Sequence, residues 1–200
     1  VDDLAPVDEF HIGGRQASED FLDQLDLSPN SHALDIGCGL GGAARFAASH
    51  YGCRVTGIDL TPEYIETGKV VCGWLGLEGR VLLQQGSALE LPFAERSFDR
   101  AYMLHVGMNV SDKARLCSEV GRVLKSGSIF GIYDVMKTGE GDLTYPVPWA
   151  TTASSSAVAP PAEYSAALQA AGFTVIAERN RRDFALAFFD RLRERTAAAG

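Results

Sequence analysis

The sequence LDIGCGLGG at residues 34–42 decides the fold prediction for this chain. Apolar residues of strand type lead into a glycine-rich turn, and AARFAA at residues 43–48 then indicates a helix. Glycine allows the backbone to adopt positive φ and to approach a ligand closely, because it has no Cβ. A nucleoside cofactor at the carboxyl end of a parallel sheet requires such a corner. The stretch therefore predicts a strand, a ligand-binding turn and a helix.

Two carboxylates help to decide which cofactor this turn holds. The glycines at 37–41 follow the pattern G-x-G-x-G, which by itself also suits nicotinamide and flavin dinucleotides. Asp59 ends the next predicted strand, 24 positions after Asp35, where a carboxylate can accept hydrogen bonds from both ribose hydroxyls. Asp35 lies just before the glycines, where its charge would repel a pyrophosphate. This arrangement favours a cationic cofactor without phosphate.

The ordered set of motifs resembles that of class I S-adenosylmethionine-dependent methyltransferases. Beyond the glycine turn, the set comprises GIDL at 57–60, GSALELPF at 86–93, SFD at 97–99 and RVLKSGS at 122–128. The likeness runs from about Val7 to Asn180, and FHIGG at 10–14 is similar to the N-terminal segment of the sarcosine/dimethylglycine, sterol and ubiquinone/menaquinone groups. The resemblance implies S-adenosylmethionine as cofactor and methyl transfer to a small-molecule acceptor. The favoured acceptor is an amine of the sarcosine/dimethylglycine type, and a C or O nucleophile is the alternative.

Composition excludes several other functions. The 200 residues suit a single domain, and the net charge of −8 argues against a nucleic-acid partner. No apolar run is long enough to span a bilayer and no signal peptide opens the chain, so we expect no membrane association. The four cysteines form no C-x-x-C pair, which argues against a metal site and is typical of reduced thiols in a cytoplasmic protein. The pattern does not fix the oligomeric state.

Alternating strand and helix patterns predict an α/β fold, a Rossmann-like doubly wound sheet that is mostly parallel with helices on both faces. Six strands are expected, at 32–36, 53–58, 80–85, 98–104, 128–135 and 173–178. The resemblance implies a further antiparallel strand at the end of the sheet. Nothing after Ala197 has that pattern, so we expect this strand to be missing or to lie beyond the sequence.

We interpret residues 1–200 as one methyltransferase domain with four parts. Residues 1–30 form an N-terminal lid and helix, and 31–135 form the cofactor-binding core. Residues 136–160 form a substrate loop, since a proline- and glycine-containing loop of this length is usually functional or mobile. Residues 161–200 form a C-terminal helix, strand and helix.

The resemblance assigns cofactor contacts along the carboxyl edge of the sheet. The glycine turn would lie against the methionine part of the cofactor, and Asp59 would hold the ribose. Asp35 would orient the turn or the cofactor ammonium, with a purely structural role as the alternative. The predicted cofactor-binding residues are Asp35, Gly37, Cys38, Gly39, Asp59, Leu60, Ser87, Ala88, Leu89 and His105.

Ser87 departs from the family pattern. Relatives commonly carry Asp at this position, where the carboxylate accepts a hydrogen bond from the adenine amino group. Here the Ser87 hydroxyl, or the backbone of Ala88 and Leu89, must replace it. Because a neutral acceptor makes a weaker bond than a carboxylate, either the cofactor affinity is lower or binding relies on packing of the adenine.

Three residues are candidates for the catalytic role. His105 follows the fourth predicted strand at its carboxyl end, where it could contact the cofactor or take a proton from the acceptor. Asn109 follows shortly after it. His11 stands beside two glycines in the predicted lid and is the second candidate for contact with the acceptor. The alternatives are a hydrogen-bonded histidine at a strand end for His105 and an ordinary loop residue for His11.

Aromatic residues and a carboxylate indicate the acceptor pocket. Tyr133 and Asp134 end the fifth predicted strand, and Tyr145 and Trp149 lie in the substrate loop. Aromatic faces with a carboxylate suit an amine, because a cation is attracted to the ring quadrupole. The same residues suit a planar apolar acceptor, and Trp149 could serve packing alone.

Two rival functions remain open at this point. A nicotinamide-dependent oxidoreductase would need a proton-donor pair such as Tyr-x-x-x-Lys, and the spacing from Tyr64 to Lys69 does not provide it. A non-catalytic protein that keeps the S-adenosylmethionine-binding fold is the second rival, and Ser87 makes it conceivable.

Overall fold

Five parallel strands form the sheet to which the glycine-rich turn belongs. The computed structural model describes residues 4–9 and 11–199, so Phe10 of the predicted lid motif and Gly200 lie outside the described residues. The sheet order is β3-β2-β1-β4-β5. The strands are β1 (His32–Ile36), β2 (Arg54–Asp59), β3 (Val81–Gln85), β4 (Phe98–Leu104) and β5 (Leu124–Tyr133). The predicted Rossmann-like α/β fold is therefore confirmed.

Helices follow the strands as the crossover connections of a parallel sheet require. They are α1 (Ala5–Asp8), α2 (Gly14–Leu22), α3 (Gly42–His50), α4 (Pro62–Trp74), α5 (Lys113–Val123), α6 (Pro161–Ala170) and α7 (Arg182–Ala199). Helix α4 begins with a proline, whose fixed φ suits the first helical turn. The Asp112 carboxylate caps α5 by accepting a hydrogen bond from the Arg115 amide at 2.8 Å.

The sheet separates two hydrophobic cores, because successive side chains of a strand point to opposite faces. In β4, Ala101 and Met103 belong to one core, which is completed by α5. Tyr102 belongs to the other core, which contains the alanines of α3. Buried residues cover both faces of the sheet, so the central strands are held between two packed layers.

The strand order places the candidate site. Strand β1 pairs with β2 on one side and with β4 on the other, so the chain reverses its direction of winding at β1. Ligands of open α/β sheets bind at the carboxyl ends of the strands at such a switch point. Residues that immediately follow Ile36, Leu104 and Tyr133 therefore share one edge.

The strand predicted at 173–178 is wrong. Residues 173–180 pair with no strand in the described part of the chain, so the C-terminal region is a helix, an irregular segment and a helix. Phe173 packs against Phe130 with ring centroids 5.7 Å apart, but Ile176 is 80% exposed. This short apolar segment therefore has no buried face to offset the entropy of ordering a strand. No terminal antiparallel strand follows β5 among the described residues either.

The loop at 136–160 is anchored at its base. The Lys137 amide donates a hydrogen bond to the Ala159 carbonyl at 3.0 Å, and the Ala157 amide donates to Met108 at 2.6 Å. One 3₁₀ turn, Ala153–Ser155, interrupts it. Within the described residues, every helix is too short or too polar to cross a bilayer.

Candidate active site

The glycine turn is held against β2 by paired backbone hydrogen bonds. The amides of Gly37 and Cys38 both donate to the Ile58 carbonyl, at 2.8 and 3.0 Å. Gly37 has φ +69°, and a Cβ there would lie 2.3 Å from Val106. Gly39 has φ +53°, but none of the described atoms would lie within 4 Å of its Cβ. Gly37 therefore has no room for a side chain beside Val106, whereas Gly39 leaves an open backbone surface.

Asp59 links the glycine turn to the start of α4. Its carboxylate accepts hydrogen bonds from the amides of Gly39 and Thr61, each at 2.9 Å. A carboxylate has about four acceptor positions, so two remain for the hydroxyls of a sugar. Leu60 follows with 69% of its side chain exposed, which gives an apolar surface beside the carboxylate.

Asp35 is a buried carboxyl group at the end of β1. It is 2% exposed, and burial raises the pKa of Asp35 to about 8. The buried Tyr102 hydroxyl interacts with this carboxyl group and opposes the larger effect of burial on its pKa. A cationic group placed nearby would stabilise the ionised carboxylate, whereas a pyrophosphate would not. Without such a group the Asp35 carboxyl is mostly protonated at pH 7, so its negative charge would develop as a cationic cofactor binds.

Ser87 shapes a tight turn after β3. Its hydroxyl oxygen accepts a hydrogen bond from the Leu89 amide at 3.1 Å, and its carbonyl accepts from the Glu90 amide at 3.2 Å. Ala88 and Leu89 are partly buried against the core. The serine oxygen is therefore engaged in holding the turn, and its hydrogen remains available to a ligand.

The structure brings the two candidate histidines together across 94 positions of sequence. The ring centroids of His11 and His105 are 5.9 Å apart, and Tyr133 lies 5.1 Å from His105. The Tyr133 hydroxyl donates to the Ile12 carbonyl at 3.1 Å, which ties β5 to the N-terminal segment. Burial lowers the pKa of His11 to about 4 and that of His105 to about 3. Both rings are therefore neutral at pH 7.

His105 has an unusual backbone conformation. Its φ is +55°, in the left-handed region, and its amide donates to the Tyr133 carbonyl at 2.7 Å. Strained residues of this kind cluster at active sites, where the surrounding structure holds them in place. The observation singles out the carboxyl end of β4 as a functional position.

Asp134 lies in a second polar cluster at the end of β5. Its carboxylate accepts hydrogen bonds from the Tyr164 hydroxyl at 2.7 Å and from the Val135 amide at 2.9 Å. The ammonium of Lys113 lies 5.2 Å from the Tyr164 ring. Burial raises the pKa of Asp134 to about 6, against the opposing effect of these donors. The cluster offers a carboxylate whose charge changes near neutral pH.

The raised pKa of Asp134 predicts a pH-dependent stability. The folded state holds this proton up to about pH 6, whereas the ordinary value is 3.8, so the stabilisation is complete below pH 3.8 and is lost as pH rises through 6. At about 1.4 kcal/mol per unit, the loss totals about 3 kcal/mol. We expect Asp134→Asn, which cannot ionise, to gain this amount relative to the wild type between pH 4 and 7.

Urea denaturation at several pH values measures this difference directly. The exposed Asp142, changed to asparagine in the same way, is the control. If the difference in free energy of unfolding between Asp134→Asn and the wild type is constant across pH 4–7, the pKa of Asp134 is not raised in the folded state.

The remaining predicted residues lie in or beside the loop at 136–160. The Asn109 amide donates to the carbonyls of Trp149 and Ser155, at 3.0 and 2.9 Å. The Trp149 indole donates to the Ser156 hydroxyl at 3.2 Å, and Tyr145 is half-buried. Asn109 therefore clamps the loop to the end of β4, and Trp149 is fixed within the loop.

Sequence reasoning missed a buried ion pair behind the glycine turn. The Arg45 side chain is 1% exposed, pairs with the Asp8 carboxylate and donates a hydrogen bond to the Leu40 carbonyl of the turn. The sequence at 43–48 could have indicated this pair, because Arg45 stands among alanines of a helix that is expected to be buried, and a buried arginine needs a partner. The identity of that partner, 37 positions away, could not be read from the pattern.

A second missed group joins the N-terminal segment to His11. The Ser18 hydroxyl donates to the Glu9 carboxylate at 2.7 Å, and the distance from Ser18 Oγ to His11 Nε2 is 3.0 Å. Arg15 pairs with Glu9 at 2.7 Å. Nothing in the sequence distinguished these residues from ordinary helix-start residues.

A groove of about 1140 Å³ runs along the outer edge of β5, between that strand and residues 173–182. Its lining includes His105, Tyr133 and Asp134. The groove thus connects the sheet edge to the histidine cluster, and an acceptor could approach along it.

Comparison with known proteins identifies the kind of domain. Residues 34–132 match the family model of a methyltransferase domain. Sterol 4-C-methyltransferase strm-1 of Caenorhabditis elegans is 33% identical over 120 residues, which cover 60% of this chain and 36% of that protein. Glycine/sarcosine/dimethylglycine N-methyltransferase of Actinopolyspora halophila is 31% identical over 125 residues, covering 62% of this chain and 22% of that protein. This chain therefore spans well under half of either relative.

One similar solved structure is that of a protein named as a cyclase and not as a methyltransferase. The crystal structure of the cyclase SpnF superposes with a TM-score of 0.72 and 25% identity, covering 81% of this chain and 57% of that chain. A shared fold does not imply a shared reaction, so this fold is compatible with more than one chemistry.

Proposed function

We propose that this chain transfers a methyl group from S-adenosylmethionine to a small-molecule acceptor. It carries a methyltransferase domain with the fold of the class I S-adenosylmethionine-dependent methyltransferases. The observation that carries the proposal is the open glycine turn with Asp35 on one side and Asp59 on the other. The spacing of these carboxylates around a bare backbone suits a cationic nucleoside. The match to a methyltransferase domain supports the same reading.

The residues of the turn and of two strand ends would hold the cofactor. Gly39 would offer its open backbone to the amino-acid part, Asp59 would accept hydrogen bonds from the ribose, and Asp35 would ionise beside the positive charge. Leu60 and Leu89 would provide apolar contact for the adenine. When bound, S-adenosylmethionine supplies a methyl group on a positively charged sulfur. The residues present fit such a group, because the Gly39 backbone is open and the buried Asp35 carboxyl can ionise beside a positive charge.

Catalysis would depend mainly on alignment, since the methyl donor already carries a good leaving group. Holding acceptor and donor in line converts a bimolecular step into an effectively unimolecular one. His105 and His11 are neutral and can accept a proton at a ring nitrogen. Tyr133 and Asp134 would contact the acceptor, for which an amine of the sarcosine/dimethylglycine type or a C or O nucleophile fits the aromatic and acidic lining.

We propose that residues 1–30 act as a lid over the site and that the loop at 136–160 selects the acceptor. Tyr145 and Trp149 in that loop are half-buried and available to line a pocket. A cytoplasmic setting is consistent with the four cysteines, which are all free. The net charge of −8 supports a small molecule rather than nucleic acid as the partner.

Calorimetry with S-adenosylmethionine, its demethylated product and NAD tests the cofactor assignment. We expect heat of binding with the first two and none with NAD. A methyl-transfer screen against sarcosine, dimethylglycine, a sterol and simple phenols would then identify the acceptor. If neither S-adenosylmethionine nor its product binds at up to about millimolar concentration, the proposal is wrong.

A non-catalytic or differently catalytic protein is the second candidate, and the likeness to a cyclase favours keeping it. Such a protein would bind S-adenosylmethionine in calorimetry and yet transfer no methyl group to any acceptor in the screen. The two measurements together therefore distinguish it from the main proposal.

Removal of the Asp59 carboxylate should weaken cofactor binding. We expect Asp59→Ala to reduce the affinity for S-adenosylmethionine by about 1–3 kcal/mol, because a charged hydrogen-bond acceptor is lost. Glu63→Ala, which removes an exposed carboxylate from the first turn of α4, is the matched control and should bind normally. Calorimetric titration measures both variants, and an unchanged affinity in Asp59→Ala would reject the ribose role.

A further inference from the structure

Three buried polar residues form a continuous hydrogen-bonded chain beneath the histidine cluster. Glu9, Ser18 and His11 are 7%, 0% and 8% exposed. The Ser18 hydroxyl lies 2.7 Å from Glu9 Oε2 and 3.0 Å from His11 Nε2. The His11 ring in turn lies 5.9 Å from His105, at the carboxyl end of β4. These hydrogen bonds thus connect the Glu9 carboxyl group to the histidine cluster of the candidate site.

The direction of these hydrogen bonds determines the tautomer of His11. A serine hydroxyl has one hydrogen, and an ionised carboxylate can only accept. Because Ser18 donates its hydrogen to Glu9, its oxygen can only accept from His11. His11 must therefore carry its hydrogen on Nε2, and in a neutral ring Nδ1 is then bare.

The surroundings act on the protonation of both Glu9 and His11. Burial raises the pKa of Glu9, whereas the Ser18 hydroxyl and the Arg15 guanidinium, 2.7 Å from the carboxylate, oppose this shift and favour the ionised form. Burial and the charge of Arg15 lower the pKa of His11 to about 4, so its ring is neutral at pH 7. A neutral imidazole with one defined bare nitrogen is the form required of a general base.

We propose that Glu9 and Ser18 are positioning residues that fix His11 as the Nε2–H tautomer, so that Nδ1 receives the proton lost by the methyl acceptor. This inference rests on the proposed function. As the acceptor heteroatom forms its bond to the methyl carbon, the sulfur keeps the electron pair of the broken bond. The acceptor N–H or O–H bond breaks, and its proton moves to Nδ1, which leaves His11 as an imidazolium. Glu9, through Ser18, stabilises the positive charge that develops on the ring.

The tautomer can be measured without any acceptor. Long-range nitrogen–proton correlation spectra of protein labelled at its four histidines report which ring nitrogen carries the hydrogen. At pH 7 we expect wild-type His11, assigned by its absence in His11→Gln, to show a protonated Nε2 and a bare Nδ1. In Ser18→Ala this pattern should give way to a mixture of tautomers. A wild-type His11 with its hydrogen on Nδ1, or with both nitrogens protonated, would overturn the inference.

Turnover with an acceptor from the methyl-transfer screen provides the second readout. We expect Ser18→Ala and Glu9→Gln to lower kcat about 10- to 100-fold, a part of what a general base contributes, with the Kd for S-adenosylmethionine unchanged. Ser31→Ala is the matched control. Ser31 is also buried, with hydroxyl contacts to Ser28, but it precedes β1 at the opposite edge of the sheet.

The two proposals can fail separately. If the wild type binds no S-adenosylmethionine, the proposed function fails while the tautomer measurement still stands. If the wild type transfers methyl groups and Ser18→Ala retains the kcat of Ser31→Ala, the positioning role is rejected.

Discussion

Replacing Gly39 with valine should abolish S-adenosylmethionine binding while the protein still folds. Gly39 has φ +53° and an open Cβ direction, so a side chain would project from the turn into the space assigned to the cofactor. The left-handed conformation costs a residue with a side chain roughly 1–2 kcal/mol, which a domain of this size tolerates. Calorimetric titration should show at least about 100-fold weaker binding, or about 2.7 kcal/mol.

Gly76→Val is a closely matched control for this variant. Gly76 has φ +64° and equally open surroundings, but it follows the end of α4, away from the glycine turn. It should lose similar stability and bind the cofactor normally. A normal titration of Gly39→Val would show that the turn does not face the cofactor.

The Arg45→Met variant should lose about 3–5 kcal/mol of folding stability, the largest effect that we expect from a single substitution. The change leaves the Asp8 carboxylate buried without its partner, and an isolated buried charge is strongly destabilising. It also removes the donor to the Leu40 carbonyl, so the glycine turn loses a support. Urea denaturation would measure the loss in free energy of unfolding, provided that its dependence on urea concentration is the same in the variant and the wild type.

Two further variants distinguish the cause. Adding Asp8→Asn to Arg45→Met should restore much of the stability, because no unpaired charge remains. Arg193→Met breaks an exposed pair with Asp190, whose side chains are 75% and 62% exposed, and should cost about 0.5 kcal/mol or less. A loss below about 1 kcal/mol in Arg45→Met would mean that water reaches Asp8 and that the pair is not a structural requirement.

Local patterns were sufficient for the five strands of the sheet, because each is a short apolar run between turn residues and each gains a buried face. The same reasoning failed at 173–178, where a short apolar run of strand type is present but only Phe173 packs against a core. A period of two indicates which residues share a face. It does not show whether that face is covered.

In the candidate site, too, the sequence pattern does not reveal contacts between residues that are far apart along the chain. Glycines and carboxylates of the turn could be recognised because their roles depend on neighbours in sequence. Whether a given glycine is needed for packing depends on a distant side chain, as Val106 shows for Gly37. The partners Arg45 and Asp8 are likewise far apart along the chain and share no pattern, so only the folded structure joins them.

The left-handed backbone of His105 sets stability and activity against each other. Glycine would adopt φ +55° at that position without steric strain, so a stability screen of variants should recover His105→Gly as a more heat-resistant protein. The same variant would lack the imidazole at the mouth of the sheet. Selection for thermal tolerance alone would thus lead away from a working enzyme at this residue.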